Sequence, residues 1–144
     1  MRLALVSSED SALDIHKEVR AALEKEIINV EVVEQKLPQV LDIPVWVGEN
    51  PGYDLYFVFV VYRRPRVEHK VLLEKLVSLE MDGKARILKA VSKLDDEWDR
   101  DELAQKWVKK ILRQLFPGEA EPVAGEAGEE DEEEEEAGQG FKFI

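Results

Sequence analysis

The chain has no cysteine, which excludes disulfides, a thiolate nucleophile and a Cys-ligated metal. Two histidines, His16 and His69, are too few for a His-rich zinc site. No apolar run approaches the roughly 18 residues that span a bilayer, and no signal peptide precedes the first apolar run, so the sequence predicts a soluble, cytoplasmic protein with no membrane partner. The turn Ser7-Ser-Glu-Asp-Ser11 has no glycine, and neither a P-loop nor a Gly-x-Gly-x-x-Gly follows the first apolar run, so a tightly held pyrophosphate is not expected there. There is no Gly-x-Ser-x-Gly elbow either. A basic face is also lacking. The chain carries 32 acids and 20 bases, net −12. Residues 117–144 hold 11 of the acids and one lysine, which leaves 21 acids against 19 bases, net −2, in the remainder. A near-neutral body with an acidic tail argues against a nucleic-acid partner.

What the chain does have is Asp54-Leu-Tyr-Phe-Val-Phe-Val-Val-Tyr62. This run does not alternate apolar with polar, so both its faces should be buried, as in a parallel sheet covered by helices. It ends on Arg63-Arg-Pro-Arg66. Around it the pattern reads β-α-β-α-β-α-β-α. The first strand is Arg2–Val6, and Ser7 or Ser8 caps a helix that runs to about Lys25 with Ile15, Val19 and Leu23 in its apolar stripe and His16 partly exposed beside it. Ile27–Val33 is a second strand at a wet edge. Gln35–Pro44 begins as a loop, and Pro44 opens a short helix through Val45-Trp-Val47. Pro65 starts a third helix to about Met81, with Val67, Val71, Leu72, Leu76 and Leu79 as its inner face, ended by Asp82-Gly83. Ala85–Val91 is the fourth strand, and a fourth helix spans Asp95–Phe116 until Pro117-Gly118 stops it. With right-handed crossovers the prediction is a three-layer α/β/α domain over residues 1–117, with a four-stranded parallel sheet ordered 2-1-3-4.

Residues 118–144 are predicted to be a disordered acidic tail, because the run Glu129–Glu136 repels itself and buries nothing. Phe141, Phe143 and Ile144 at its far end suggest a docking peptide for its own domain or for a neighbouring subunit.

In open α/β sheets ligands bind beyond the carboxyl ends of the strands. Three predicted loops meet there: Ser7–Ser11, Leu37–Pro44 and Arg63–His69. They offer Ser7, Ser8 and Asp10, then Gln39, Val40 and Asp42, then Arg63, Arg64, Arg66 and His69. A histidine near a carboxylate and a guanidinium suits proton transfer and the binding of an anion or a polyol. The arginines could instead pair with acids of another subunit. Asp95-Asp96-Glu97 is a conceivable ligand set for a divalent cation such as Mg, but acids at a helix N-terminus more simply serve the macrodipole. No organic cofactor is expected.

These pieces resemble the lumazine synthase superfamily, in particular its archaeal-type riboflavin synthase branch. The resemblance rests on Leu3-Ala-Leu-Val-Ser-Ser8 with Leu13-Asp-Ile15, on Leu37-Pro38 with Asp42-Ile-Pro44, on Tyr53-Asp54, on Glu102-Leu-Ala104 with Leu115-Phe116, and on Gly138-Gln-Gly-Phe141. It implies a flavodoxin-like, lumazine-synthase-like fold and a homopentamer with active sites between subunits. The implied reaction moves a four-carbon unit between two molecules of 6,7-dimethyl-8-ribityllumazine, giving riboflavin and a pyrimidinedione. The Leu37–Pro44 loop would then hold the ribityl chain and ring edge, Ser7 and Ser8 would line the first loop, and His69 would be the proton-transfer candidate. The loops depart from the family. Asp10 stands nearest the family's stacking aromatic, Gln39 replaces a glycine, and Arg63-Arg-Pro-Arg66 replaces a glycine-containing segment. A non-catalytic paralogue that binds a ligand or partner, or an assembly protein, are the alternatives.

Overall fold

The computed structural model describes residues 1–120. The expected disorder and docking role of the acidic tail therefore lie almost wholly outside the described residues.

β3 (Leu55–Tyr62) is buried along all eight of its residues. Successive side chains of a strand point to opposite faces, and here each face meets its own core. Leu55, Phe57, Phe59 and Val61 join Leu3, Leu5, Val19, Leu23, Val108 and Ile111 on one side. Tyr56, Val58, Val60 and Tyr62 join Ala4, Val6, Ile43, Val47, Leu72 and Leu76 on the other. β1 (Arg2–Ser8), β2 (Glu31–Leu37) and β4 (Ile87–Lys93) complete a four-stranded sheet in the order β2-β1-β3-β4. All pairs are parallel, with Leu5 opposite Phe57 and Val58 opposite Lys89. α1 (His16–Glu26) and α4 (Arg100–Leu115) cover one face, and α2 (Asp42–Glu49) and α3 (Val67–Met81) cover the other. One further turn, α5 (Pro117–Ala120), follows α4. The fold is the α/β/α sandwich with the predicted 2-1-3-4 order, a flavodoxin-like winding.

Several element boundaries differ from those expected, each for a physical reason. β1 continues through Ser7 and Ser8, which sit opposite Lys36 and Leu37, so neither serine caps a helix. α1 starts only at His16, and no side chain caps it. The intervening segment has another task. Pairing of β1 with β3 ends at Val6 and Val58, although β3 runs on to Tyr62, so backbone groups near its end need partners. Ala12 N donates to Val61 O (2.7 Å) and Val61 N donates to Ser11 Oγ (3.0 Å). A helix begun at Ser8 would have left these groups unpaired.

Ile27-Ile-Asn29 is the exit of α1 and not a strand: Ile27 N donates to Leu23 O, and Asn29 has φ 61°. Asparagine tolerates that left-handed turn better than most residues, and it leaves Ile28 88% exposed. α3 begins at Val67, after Arg66 at its N-cap. It is rotated from the expected phase: Val67 is 69% exposed, and His69 joins Leu72, Leu73 and Leu76 inside. Its end follows expectation. Gly83 at φ 71° and the bonds Gly83 N to Glu80 O and Lys84 N to Leu79 O form a Schellman-type cap. β4 begins two places late, at Ile87.

α4 does not start on Asp95-Asp96-Glu97. Those residues form a turn, with Trp98 N donating to Asp95 O (3.1 Å) and Glu97 N to Asp95 Oδ1 (2.9 Å). The cap is Asp99, whose Oδ1 accepts from Asp101 N (2.9 Å) and Glu102 N (3.2 Å). Asp99→Ala is therefore expected to cost about 1 kcal/mol, and Asp95→Ala distinctly less, in urea unfolding. The reverse ranking would place the cap at the earlier acids.

Candidate functional site

In the order β2-β1-β3-β4 the chain runs from β1 through α1 to β2 on one side, then from β2 through α2 to β3 on the other side of β1. The carboxyl ends of β1 and β3 thus flank the switch point, where such sheets open a crevice. The three predicted loops converge there. A cleft of about 310 Å³ is lined by Asp10 from the first, Gln39, Val40 and Leu41 from the second, and Arg66 and Glu68 from the third.

Asp10 is the centre of its polar network. Ser8 Oγ donates to Asp10 Oδ1 (2.6 Å), and Arg66 Nη2 donates to Asp10 Oδ2 (2.9 Å). Burial would raise this carboxyl, but the hydrogen bonds from Ser8 and Arg66 outweigh it and hold it below its ordinary value. Both partners of the ion pair remain about half exposed, so it contributes little to stability and can open for a ligand. The second loop is braced by itself: Asp42 Oδ2 accepts from Gln39 N (3.0 Å), and Asp42 N donates to Gln39 O (3.1 Å). Asp42 thereby shapes the cleft without lining it.

His69 lies behind the cleft. It is 1% exposed, its ring stacks on Tyr62 with centroids 4.4 Å apart, and Nδ1 has no hydrogen-bond partner among the described residues. Burial lowers its pKa, and the Arg66 guanidinium adds to that effect against the opposite pull of Asp10 and Glu68. A neutral imidazole is a competent proton acceptor, but in this conformation it is closed off from solvent.

Asp10, Gln39, Val40 and Arg66 are thus brought together, with Ser8 and Asp42 as their supports. Ser7 is buried in β1 with Oγ unpaired and does not line the cleft. Arg63 and Arg64 are exposed beyond β3 and make no ion pair among the described residues. Sequence reasoning missed Leu41 and Glu68. Glu68, in the first turn of α3 beside Arg66, was the findable one, since acids concentrate at that end of a helix. Among the described residues no group of three or more His, Cys, Asp or Glu is placed to hold a metal ion, and no helix is long and apolar enough to cross a membrane.

His16 corrects an expectation. It is 3% exposed and not partly exposed, with Nε2 unpaired. Its Nδ1 lies 3.9 Å from Asp14 Oδ1, while Asp14 Oδ2 accepts from Lys36 Nζ (2.8 Å). Burial lowers its pKa despite Asp14. Folding is then opposed by protonation: below the ordinary histidine value of 6.5 the unfolded chain takes up a proton that the folded chain refuses, so stability falls as pH drops through that value. His16→Leu is expected to flatten this loss between pH 7.5 and 5, measured as the urea midpoint, with the His69 share remaining. Asp10 and Asp14 do not interfere. Their lowered values contribute stability that is present above 3.8 and lost only as pH falls further. An unchanged pH slope in the variant would refute a buried neutral His16.

No family model matches the chain, and no curated protein matches it. Among solved structures it is similar to a de novo designed Rossmann fold protein, with 17% identity and a TM-score of 0.45, over 77% of this chain and 97% of that chain. At that score the likeness carries no inference about function.

Proposed function

We propose that the chain is a riboflavin-synthase-like transferase acting at this cleft. One observation carries the proposal: three separate loops place the Asp10 carboxylate, the Arg66 guanidinium and residues Gln39, Val40 and Leu41 around a single cavity at the switch point, with an imidazole behind it. Its volume of about 310 Å³ lies at the lower end for small-molecule sites, enough for one ribityllumazine. The second molecule required by four-carbon transfer would sit against a neighbouring subunit, in keeping with the homopentamer that the sequence resemblance implies. With the Gln39 N–H held by Asp42, the carbonyl oxygens of Gln39 and Val40 would accept from the hydroxyls of the ribityl chain. Ser8 and Asp10 would bind hydroxyls, Arg66 would polarise a ring carbonyl, and His69 would move a proton once ligand binding opens its path.

The test is incubation with 6,7-dimethyl-8-ribityllumazine, with and without Mg, followed by the change in fluorescence on riboflavin formation. The absence of both turnover and binding would refute the proposal. A second reading, a non-catalytic paralogue that only binds the ligand, is favoured by the 1% exposure of His69, and binding without turnover would select it. Light scattering of the full chain tests the pentamer.

A further inference from the structure

A second depression lies on the outer side of α2 and α3, away from the sheet. About 360 Å³ in volume, it is lined by Leu41, Pro44 and Val45 of the α2 end and by Val71, Lys75 and Leu79 of α3, among others. Val45 is 57% exposed, and Leu41 and Val67 are exposed as well. Exposed aliphatic surface of this kind marks an interaction site more often than chance placement. We infer that this groove is the docking site for residues 141–144 of the same chain, Phe-Lys-Phe-Ile. The inference stands independently of the reaction proposed above.

Three observations support this occupant. The first is chemistry: Leu41, Pro44, Val45, Val71 and Leu79 make the groove mainly aliphatic, with Lys75, Ser78 and Asp82 as its polar lining, and residues 141–144 offer two phenyl rings and a branched aliphatic chain. The second is reach. The 20 residues 121–140 span up to about 66 Å when extended, whereas a domain of this size is roughly 35 Å across, so residues 141–144 can reach any face. The third is charge. The acidic run Glu129–Glu136 ends four residues before the apolar segment. The loop before α3 exposes Arg63 and Arg64, which have no ion pair among the described residues, while along α3 the exposed Lys70 and Lys75 are interleaved with the exposed Glu68 and Glu74. A segment seated in the groove carries the acidic run toward these cations. Leu41 lines both the groove and the ligand cleft, so an occupied groove also covers one rim of the cleft.

The absence of cysteine makes disulfide mapping clean. In the full chain, the pair Val45→Cys with Phe143→Cys is expected to form an intramolecular disulfide under mild oxidation at least tenfold faster than the control pair Ile28→Cys with Phe143→Cys. Val45 and Ile28 are both exposed, so neither substitution threatens the fold. Adding Phe141→Ala should reduce the Val45 rate to that of the control, and 1 M salt should slow it several-fold by screening the acidic run. Equal rates for the two pairs would overturn the inference. A disulfide that forms only between chains would overturn it too, and would assign the groove to a second copy.

Discussion

Phe57→Ala is expected to destabilise the domain by about 3–5 kcal/mol, a large share of the roughly 5–15 kcal/mol available to such a domain. Phe57 sits mid-way along β3 opposite Leu5 on one side and Leu88 on the other. Its ring lies 5.9 Å from that of Phe59 and 5.6 Å from that of Trp107, centroid to centroid. Truncation removes the ring from a layer that β1, α1 and α4 all share, and β1 is held in place by its register with β3. Phe57→Leu should cost about 1.5 kcal/mol or less, and Val67→Ala, on the exposed side of α3, within about 0.5 kcal/mol. Urea midpoints at unchanged m-value give the comparison. Were Phe57→Ala no worse than Val67→Ala, the covered central strand, and with it the location of the cleft, would be wrong.

The central strand was legible because its run of nonpolar residues admits no wet face. The strand order followed from that strand, the alternation of elements and the handedness of crossovers. What escaped was phase and punctuation. α3 is apolar on more than one side, since Val71 and Leu79 line the outer groove while Leu72, Leu73 and Leu76 face the core, so periodicity did not tell which valine faced in. Ile27-Ile28 has strand composition, yet the reversal at Asn29 takes it for a helix exit. Asp95-Asp96-Glu97 and Asp99 are equally good caps on paper, and only the geometry of the turn selects Asp99. Likewise in the site, the topological rule named the three loops, while the directions of their side chains depended on contacts across the chain. Asp10 draws in Arg66 from 56 positions away, and nothing local in Arg63-Arg-Pro-Arg66 distinguishes that arginine from its neighbours. His16 looked like a surface residue because the helix was expected to start well before it.

That distinction among the arginines has the largest functional consequence. If the cleft acts as proposed, Arg66→Ala weakens ribityllumazine binding about 10- to 100-fold, the worth of a charged hydrogen bond of roughly 1.5–3 kcal/mol. The fold should lose less than about 1 kcal/mol, because the ion pair that disappears is solvent-exposed. Arg64→Ala should leave affinity within about twofold, since an exposed charge outside the cleft acts only through a screened field. Asp10→Asn separates holder from binder: the amide still accepts from Ser8 but releases its charge from Arg66, so affinity should change less than in Arg66→Ala. A fluorescence titration at one fixed ionic strength reads all three variants. If Arg64→Ala lost as much affinity as Arg66→Ala, the ligand would be responding to the net charge of the loop. The Asp10–Arg66 cleft would then not be the site that holds it.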